Sequence, residues 1–157
     1  MWPQLQVQYI PGKKTQGLVA AKDLPANTRI IYRGILMTED EAAQQGDDTY
    51  HCWTGIEGNS DILDGSPSID PNPDGIGGLG WFIGAKINEP SASQTANLTW
   101  LQGKYRGKNR MMMVSVRPIN MGEELLIHYG SEYHQRAYRP GLTAPIPPWL
   151  EQTSVFE

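Results

Sequence analysis

The stretch Gly122-Glu123-Glu124-Leu125-Leu126-Ile127-His128-Tyr129-Gly130 ends an apolar, extended run on a tyrosine followed by glycine. A tyrosine so placed can present its phenol to a cavity, because the glycine lets the backbone turn away. The phenol oxygen both donates and accepts, so it can orient a small polar ligand. The competing reading is a tyrosine that plugs the edge of a core. Asn88, in Ala85-Lys86-Ile87-Asn88-Glu89-Pro90, is a second candidate. Its amide can meet a ligand in both directions, or bond its own backbone in a turn. Gly17, in Lys14-Thr15-Gln16-Gly17-Leu18-Val19, is a third. It would allow a ligand close to the backbone, or serve only as a hairpin glycine. His128 beside the tyrosine invites a general-base role. Strand alternation turns it away from the side that Tyr129 faces, so it reads as structural.

These residues need elements to hold them. Residues 7–9, 17–21 and 29–35 read as short strands, with a turn at 24–27 before the third. Thr38-Glu39-Asp40-Glu41 carries a capping box, and Gly46 stops the helix it begins. Residues 50–53 and 62–63 read as strands, 66–80 as a long loop, and 80–87 as holding a short helical turn. Residues 98–101 and 110–116 read as a hairpin. Lys104, Arg106 and Lys108 mark its connection, 102–109, as a solvated loop. A second turn at 117–120 leads into the strand that ends on Tyr129. Residues 131–137 can form one helical turn, and the four prolines of 139–148 keep that stretch extended or irregular. Many short strands with little helix indicate a mostly β, α+β domain.

Composition narrows the function. At 157 residues the chain makes one domain with a buried core, and 39% hydrophobic and 19% charged residues are ordinary for a soluble protein. No apolar run approaches the ~18 residues that span a bilayer, and no signal peptide is visible, so no membrane role is expected. Cys52 is the only cysteine, which excludes an internal disulfide and any multi-cysteine zinc cluster. No metal site is expected, and a reducing intracellular compartment, nucleus or cytoplasm, is the easier reading. The formal charge of −4, from 17 acidic and 13 basic residues, argues against a duplex-DNA binder and suits a basic peptide partner.

Taken in order, 14–19, Tyr32-Arg33-Gly34, 85–90 with Asn97, and 122–130 resemble the SET domain of protein lysine methyltransferases. The resemblance covers residues 5–135 and implies several small curved sheets with a C-terminal pseudoknot. It makes residues 1–138 the SET domain and 139–157 a Pro-rich tail that closes the site. It implies S-adenosylmethionine as cofactor, held by Thr15, Gln16, Gly17 and Leu18 on one side and by Lys86, Asn88 and Glu89 on the other. The chain departs from the family pattern in places. Thr15 replaces the first glycine of Gly-x-Gly, Ala85-Lys86 replaces Arg-Phe, and Glu89-Pro90 stands where the family has His-Ser. Glu-Glu-Leu is kept at 123–125, and Tyr129 falls on the catalytic tyrosine. Ile127 falls on the position that often tunes how many methyls fit.

The activity so implied is methyl transfer to a lysine amine in a protein, a histone tail being the commonest kind. The amine must be neutral, although free lysine has a pKa near ~10.4. An aromatic channel beside a cationic cofactor disfavours the ammonium form. Tyr50, Trp53 and Tyr133, with Tyr105 and Tyr138, are candidate walls, each equally readable as core or surface. The chain lacks the cysteine-rich closure of many relatives, so Trp149 in Pro147-Pro148-Trp149-Leu150 either closes the cofactor site or packs for stability. The alternative function is a weakly active or inactive SET-like or PR-like module that binds partners.

Overall fold

A computed structural model of the chain describes residues 4–46, 49–53, 62–75, 79–105, 108–130, 138–150 and 153–155. Among the described residues the strands are β1 (Leu5–Ile10), β2 (Thr15–Ala20), β3 (Arg29–Tyr32), β4 (Ile35–Met37), β5 (His51–Trp53), β6 (Ile62–Asp64), β7 (Leu98–Tyr105), β8 (Lys108–Ser115) and β9 (Thr153–Val155). One α-helix, α1 (Glu39–Gln45), accompanies them, with 3₁₀ turns at Pro11–Lys13, Pro67–Ile69 and Ile83–Lys86. The strands form three sheets, ordered β1-β2, β3-β8-β7-β9 and β4-β6-β5. The mostly β, α+β architecture expected from the sequence is what the chain adopts.

Two compact units emerge. The first comprises Met1–Ile30, Lys86–Trp100 and Met113–Leu150, and the second Ile31–Ala85, Leu101–Met112 and Glu151–Glu157. In the second, β6 pairs antiparallel with β4 and β5, matching Leu63 with Leu36 and Cys52. The expected single strand over 29–35 is broken into β3 and β4. The break falls at Gly34, where a Cβ would lie 2.7 Å from the Asp64 carbonyl oxygen, so only glycine lets the chain pass there. Helix α1 starts as its sequence dictates. Thr38 Oγ1 accepts the Glu41 N–H at 3.2 Å, and Glu41 Oε1 accepts the Thr38 N–H at 3.3 Å. Such a cap contributes about 1 kcal/mol. Cys52 keeps some solvent exposure, yet its sulfur is packed so deeply that burial pushes the thiol up to about 12.

The connection 102–109, expected as a loop, is mostly strand: β7 runs to Tyr105 and β8 begins at Lys108. Lys104 and Lys108 fall on strand positions, and Arg106 lies outside the described residues. Strand β9, which sequence patterning did not reveal, joins β7 in parallel through Gln102↔Thr153 and Gly103↔Ser154.

The first unit carries the site. β1 and β2 form an antiparallel hairpin with Gly17 opposite Gln8. Its turn is closed by the Lys14 N–H on the Pro11 carbonyl at 3.2 Å, with Lys14 in the left-handed region at φ 55°. Gly17 to Ala20 are all buried, because the chain at 122–127 runs along the open side of β2. That run is not the continuous strand expected from the sequence. It is fastened by isolated bridges: Val19↔Glu124 antiparallel, then Asn88↔Leu126 and Leu98↔Ile127 parallel. One residue after another finds a different neighbour, so no ladder persists. Leu125 and Ile127 are nonetheless almost wholly buried. Each such side chain contributes roughly 1.5–3 kcal/mol.

Candidate functional site

Tyr129 is held at both ends by one short segment. Its phenol donates to the Ile87 carbonyl, and its backbone N–H donates to Glu89 Oε2 at 2.8 Å. Between them the Ile127 N–H donates to the Asn88 carbonyl at 3.0 Å. Residues 87, 88 and 89 therefore each grip the chain at 127–129. The segment reaches this place because Ile87 is wholly buried and the preceding turn, Ile83–Lys86, ends just before it. Gly130, at φ 103°, then turns the backbone away, as the Tyr-Gly pair suggested. A phenol whose proton is directed at a carbonyl presents its oxygen as an acceptor, the polarity that orients an amine N–H.

Asn97 holds the same crossing from beneath. It is fully buried, accepts the Leu126 N–H at 2.8 Å and donates to the Glu124 carbonyl at 2.9 Å. His128 has structural contacts: its Nδ1 accepts the Gly130 N–H at 3.0 Å and lies 3.7 Å from the Glu89 carboxylate that also holds the Tyr129 backbone.

A second cluster lies at Gly17. Asn88 Nδ2 donates to the Gln16 carbonyl at 3.1 Å and to Glu124 Oε2 at 2.9 Å. Glu124 Oε1 accepts from Lys13 Nζ at 2.9 Å, and both side chains are nearly buried. The Lys13 ammonium also lies over the Tyr138 ring, 5.6 Å from its centre. Tyr138 in turn donates to the Glu89 carbonyl at 2.7 Å. A Cβ at Gly17 would collide with the Glu124 carboxylate and lie 2.9 Å from Asn88 Nδ2. A larger residue there would have to push these two side-chain ends aside.

Of the expected site residues, Gln16, Gly17, Asn88, Glu89 and Tyr129 are joined directly in these two clusters. Thr15 begins β2 and is exposed, Leu18 is buried in the core, and Lys86 ends the 3₁₀ turn before Asn88. Ile127 is buried next to the clamp. Trp149 is 49% exposed on a turn closed by the Leu150 N–H and the Pro147 carbonyl. No hydrogen bond described ties it to either cluster. Tyr50 and Trp53 belong to the second unit, and Tyr133 lies outside the described residues. Sequence reasoning missed Lys13 and Glu124 as partners. Glu124 stood in a matched motif, whereas nothing in the sequence around Lys13 marks it as buried.

The model of the SET domain family matches residues 15–130, well over half of the chain. The chain belongs to the SET-domain family. Members of this family are usually protein lysine methyltransferases that use S-adenosylmethionine. The small sheets and the one helix found among the described residues accord with the mostly β SET-domain fold. Among curated proteins no match to the chain is found.

The clusters suit the cofactor of this SET family chemically. The Glu124 carboxylate and the Gln16 carbonyl offer acceptors to a cationic ligand beside a backbone without a Cβ. Both N–H bonds of the Asn88 amide are committed to those groups, so its Oδ1 is the atom suited to a ligand donor.

Proposed function

We propose that the chain transfers a methyl group from S-adenosylmethionine to the side-chain amine of a lysine in a protein. The observation that carries this reading is the double grip on Tyr129, within a chain of SET-family membership. When bound, the cofactor supplies an activated methyl on a sulfonium. Gly17, Gln16, Asn88 and Glu124 would hold it. Tyr129 would accept an N–H of the incoming amine and hold its nitrogen about 3 Å from the methyl, in line for transfer. A phenol directed at a carbonyl cannot readily swing away, which favours such orientation. The substrate is a basic, lysine-containing segment, a histone tail being one candidate, laid as a strand against a sheet edge. The net charge of −4 favours that encounter.

A second reading, a partner-binding module without turnover, draws on the Lys13–Glu124–Asn88–Gln16 network, which is already satisfied without a ligand. Thermal shift separates the two. Cofactor at 100 times its Kd should stabilise the protein by ~2.7 kcal/mol. Labelled cofactor should also place methyl groups on lysines of core histones or lysate proteins, read by mass spectrometry. No shift at millimolar cofactor, together with no transfer, would replace the enzyme by the module.

A further inference from the structure

We infer that Glu89 is the positioning residue for Tyr129: its buried carboxylate fixes the backbone that carries the phenol, and through it the rate of the chemical step. The inference rests on reading Tyr129 as the residue that orients the amine. Glu89 is only 2% exposed. A carboxylate that deep costs several kcal/mol unless it is paired. Among its contacts, Oε2 accepts the Tyr129 N–H at 2.8 Å. His128 Nδ1, 3.7 Å away, accepts from Gly130 and so faces the carboxylate without donating to it. The Glu89 backbone is itself pinned, since its carbonyl accepts from Tyr138 at 2.7 Å.

The outcome is a fixed distance between two anchor points on one residue. The Ile87 carbonyl holds the phenol end of Tyr129, and the Glu89 carboxylate holds the backbone end. Loss of the second loosens the backbone end, and the ring can then carry the oxygen off line. A misplacement of about 1 Å at a reacting centre can cost about a hundredfold in rate. Glu89 itself touches neither reacting atom. It acts through Tyr129, so its loss should appear in kcat rather than in the affinity of either substrate.

The test uses the full chain and three variants in methyl transfer to histone or lysate protein, with melting temperature recorded for each. Glu89→Ala should lower kcat at least tenfold while the KM for cofactor and for protein stay within twofold. Glu89→Asp keeps the charge but loses the reach, and should fall with the alanine variant. Glu89→Gln keeps an acceptor at the right length and should recover kcat to within about threefold of the parent. Amide hydrogen exchange at Tyr129 should follow the same order, fast in Ala and Asp and slow in Gln. Should the alanine variant fail to fold, Asp against Gln decides. Unchanged kcat in Ala or Asp would overturn the inference alone, as would a Gln variant as slow as a folded Ala variant. A parent chain that transfers no methyl to any protein would instead overturn the proposed function, and this inference with it.

Discussion

At Tyr129 the holding groups are chiefly main-chain atoms: the Ile87 carbonyl, the Asn88 carbonyl and the N–H groups at 127 and 129, with one carboxylate closing the set. At Gly17 the holding groups are side chains, Lys13, Glu124 and Asn88, converging on a single backbone carbonyl. The difference explains which departures from the family pattern the chain can bear. A clamp made of main-chain atoms is indifferent to the side chains at 85 and 86. A side-chain network demands each member, since a buried group left without its partner costs ~1–3 kcal/mol.

The tail bears on the first of these ends. Residues 140–142 pair with 90–96 through the Gly141 N–H on the Pro90 carbonyl, the Leu142 N–H on the Gln94 carbonyl and the Ala96 N–H on the Leu142 carbonyl. Truncation after Arg139 removes these bonds and the buried Leu150. At ~0.5–1.5 kcal/mol per bond and ~1.5–3 for the leucine, the expected loss is roughly 3–7 kcal/mol. A fall in melting temperature without cofactor checks it. An unchanged melting curve would mean the tail leaves the segment behind the Tyr129 clamp unsupported.

At the other end, Asn88→Ala should weaken cofactor binding by ~1–3 kcal/mol, because it removes the Oδ1 suited to a ligand donor and the amide that holds the Gln16 carbonyl and Glu124 Oε2 in place. Calorimetry would show it, and parental affinity would take Asn88 out of the cofactor site. Gly17→Ala should cost about tenfold in cofactor affinity, or ~1.4 kcal/mol, by pushing Glu124 and Asn88 aside. At saturating cofactor its kcat should stay near the parent's. A fall in kcat instead would mean that the two ends are not separable.

The smallest effect contrasts neighbouring carboxylates. Glu124 points inward to Lys13, while Glu123 sits at the surface with Arg117. Partial burial raises the Glu123 carboxyl, but the Arg117 hydrogen bond, the Asn120 N–H, the Arg117 charge and Asn97 outweigh it and hold the group below its ordinary value. Its folded pKa lies below its unfolded one, so its contribution is present above the unfolded pKa near ~4.3 and lost as pH falls through the folded value. Being half screened by water, it contributes under about 1 kcal/mol. Arg117→Ala should flatten stability against pH below about 4 by that amount.

Local features were readable and crossings were not. The Thr38 capping box and the Tyr129-Gly130 turn depend on residues within a few positions of each other, and both form as their chemistry dictates. Lys13 meets Glu124 across 111 positions, and Glu89 meets Tyr129 across 40. No periodicity encodes such meetings, because they follow from how 122–127 threads between β2 and 88–98. The motif match brought Asn88 and Tyr129 into one site. It could not show that Glu89, in place of a histidine, would take hold of a backbone N–H. Lys104 and Lys108 misled in the opposite sense, since charge marked a loop where the ladder continues.

The proposed role of Tyr129, orienting the lysine amine without holding the cofactor, stands or falls with Tyr129→Phe. The variant keeps the ring and the Glu89 grip on the backbone N–H and removes only the oxygen. The folded variant should melt slightly lower, because the Ile87 carbonyl loses its donor, and should keep cofactor affinity within twofold of the parent while methyl transfer slows at least tenfold, or ~1.4 kcal/mol of barrier. Transfer at the parental rate by a folded Tyr129→Phe chain would contradict it.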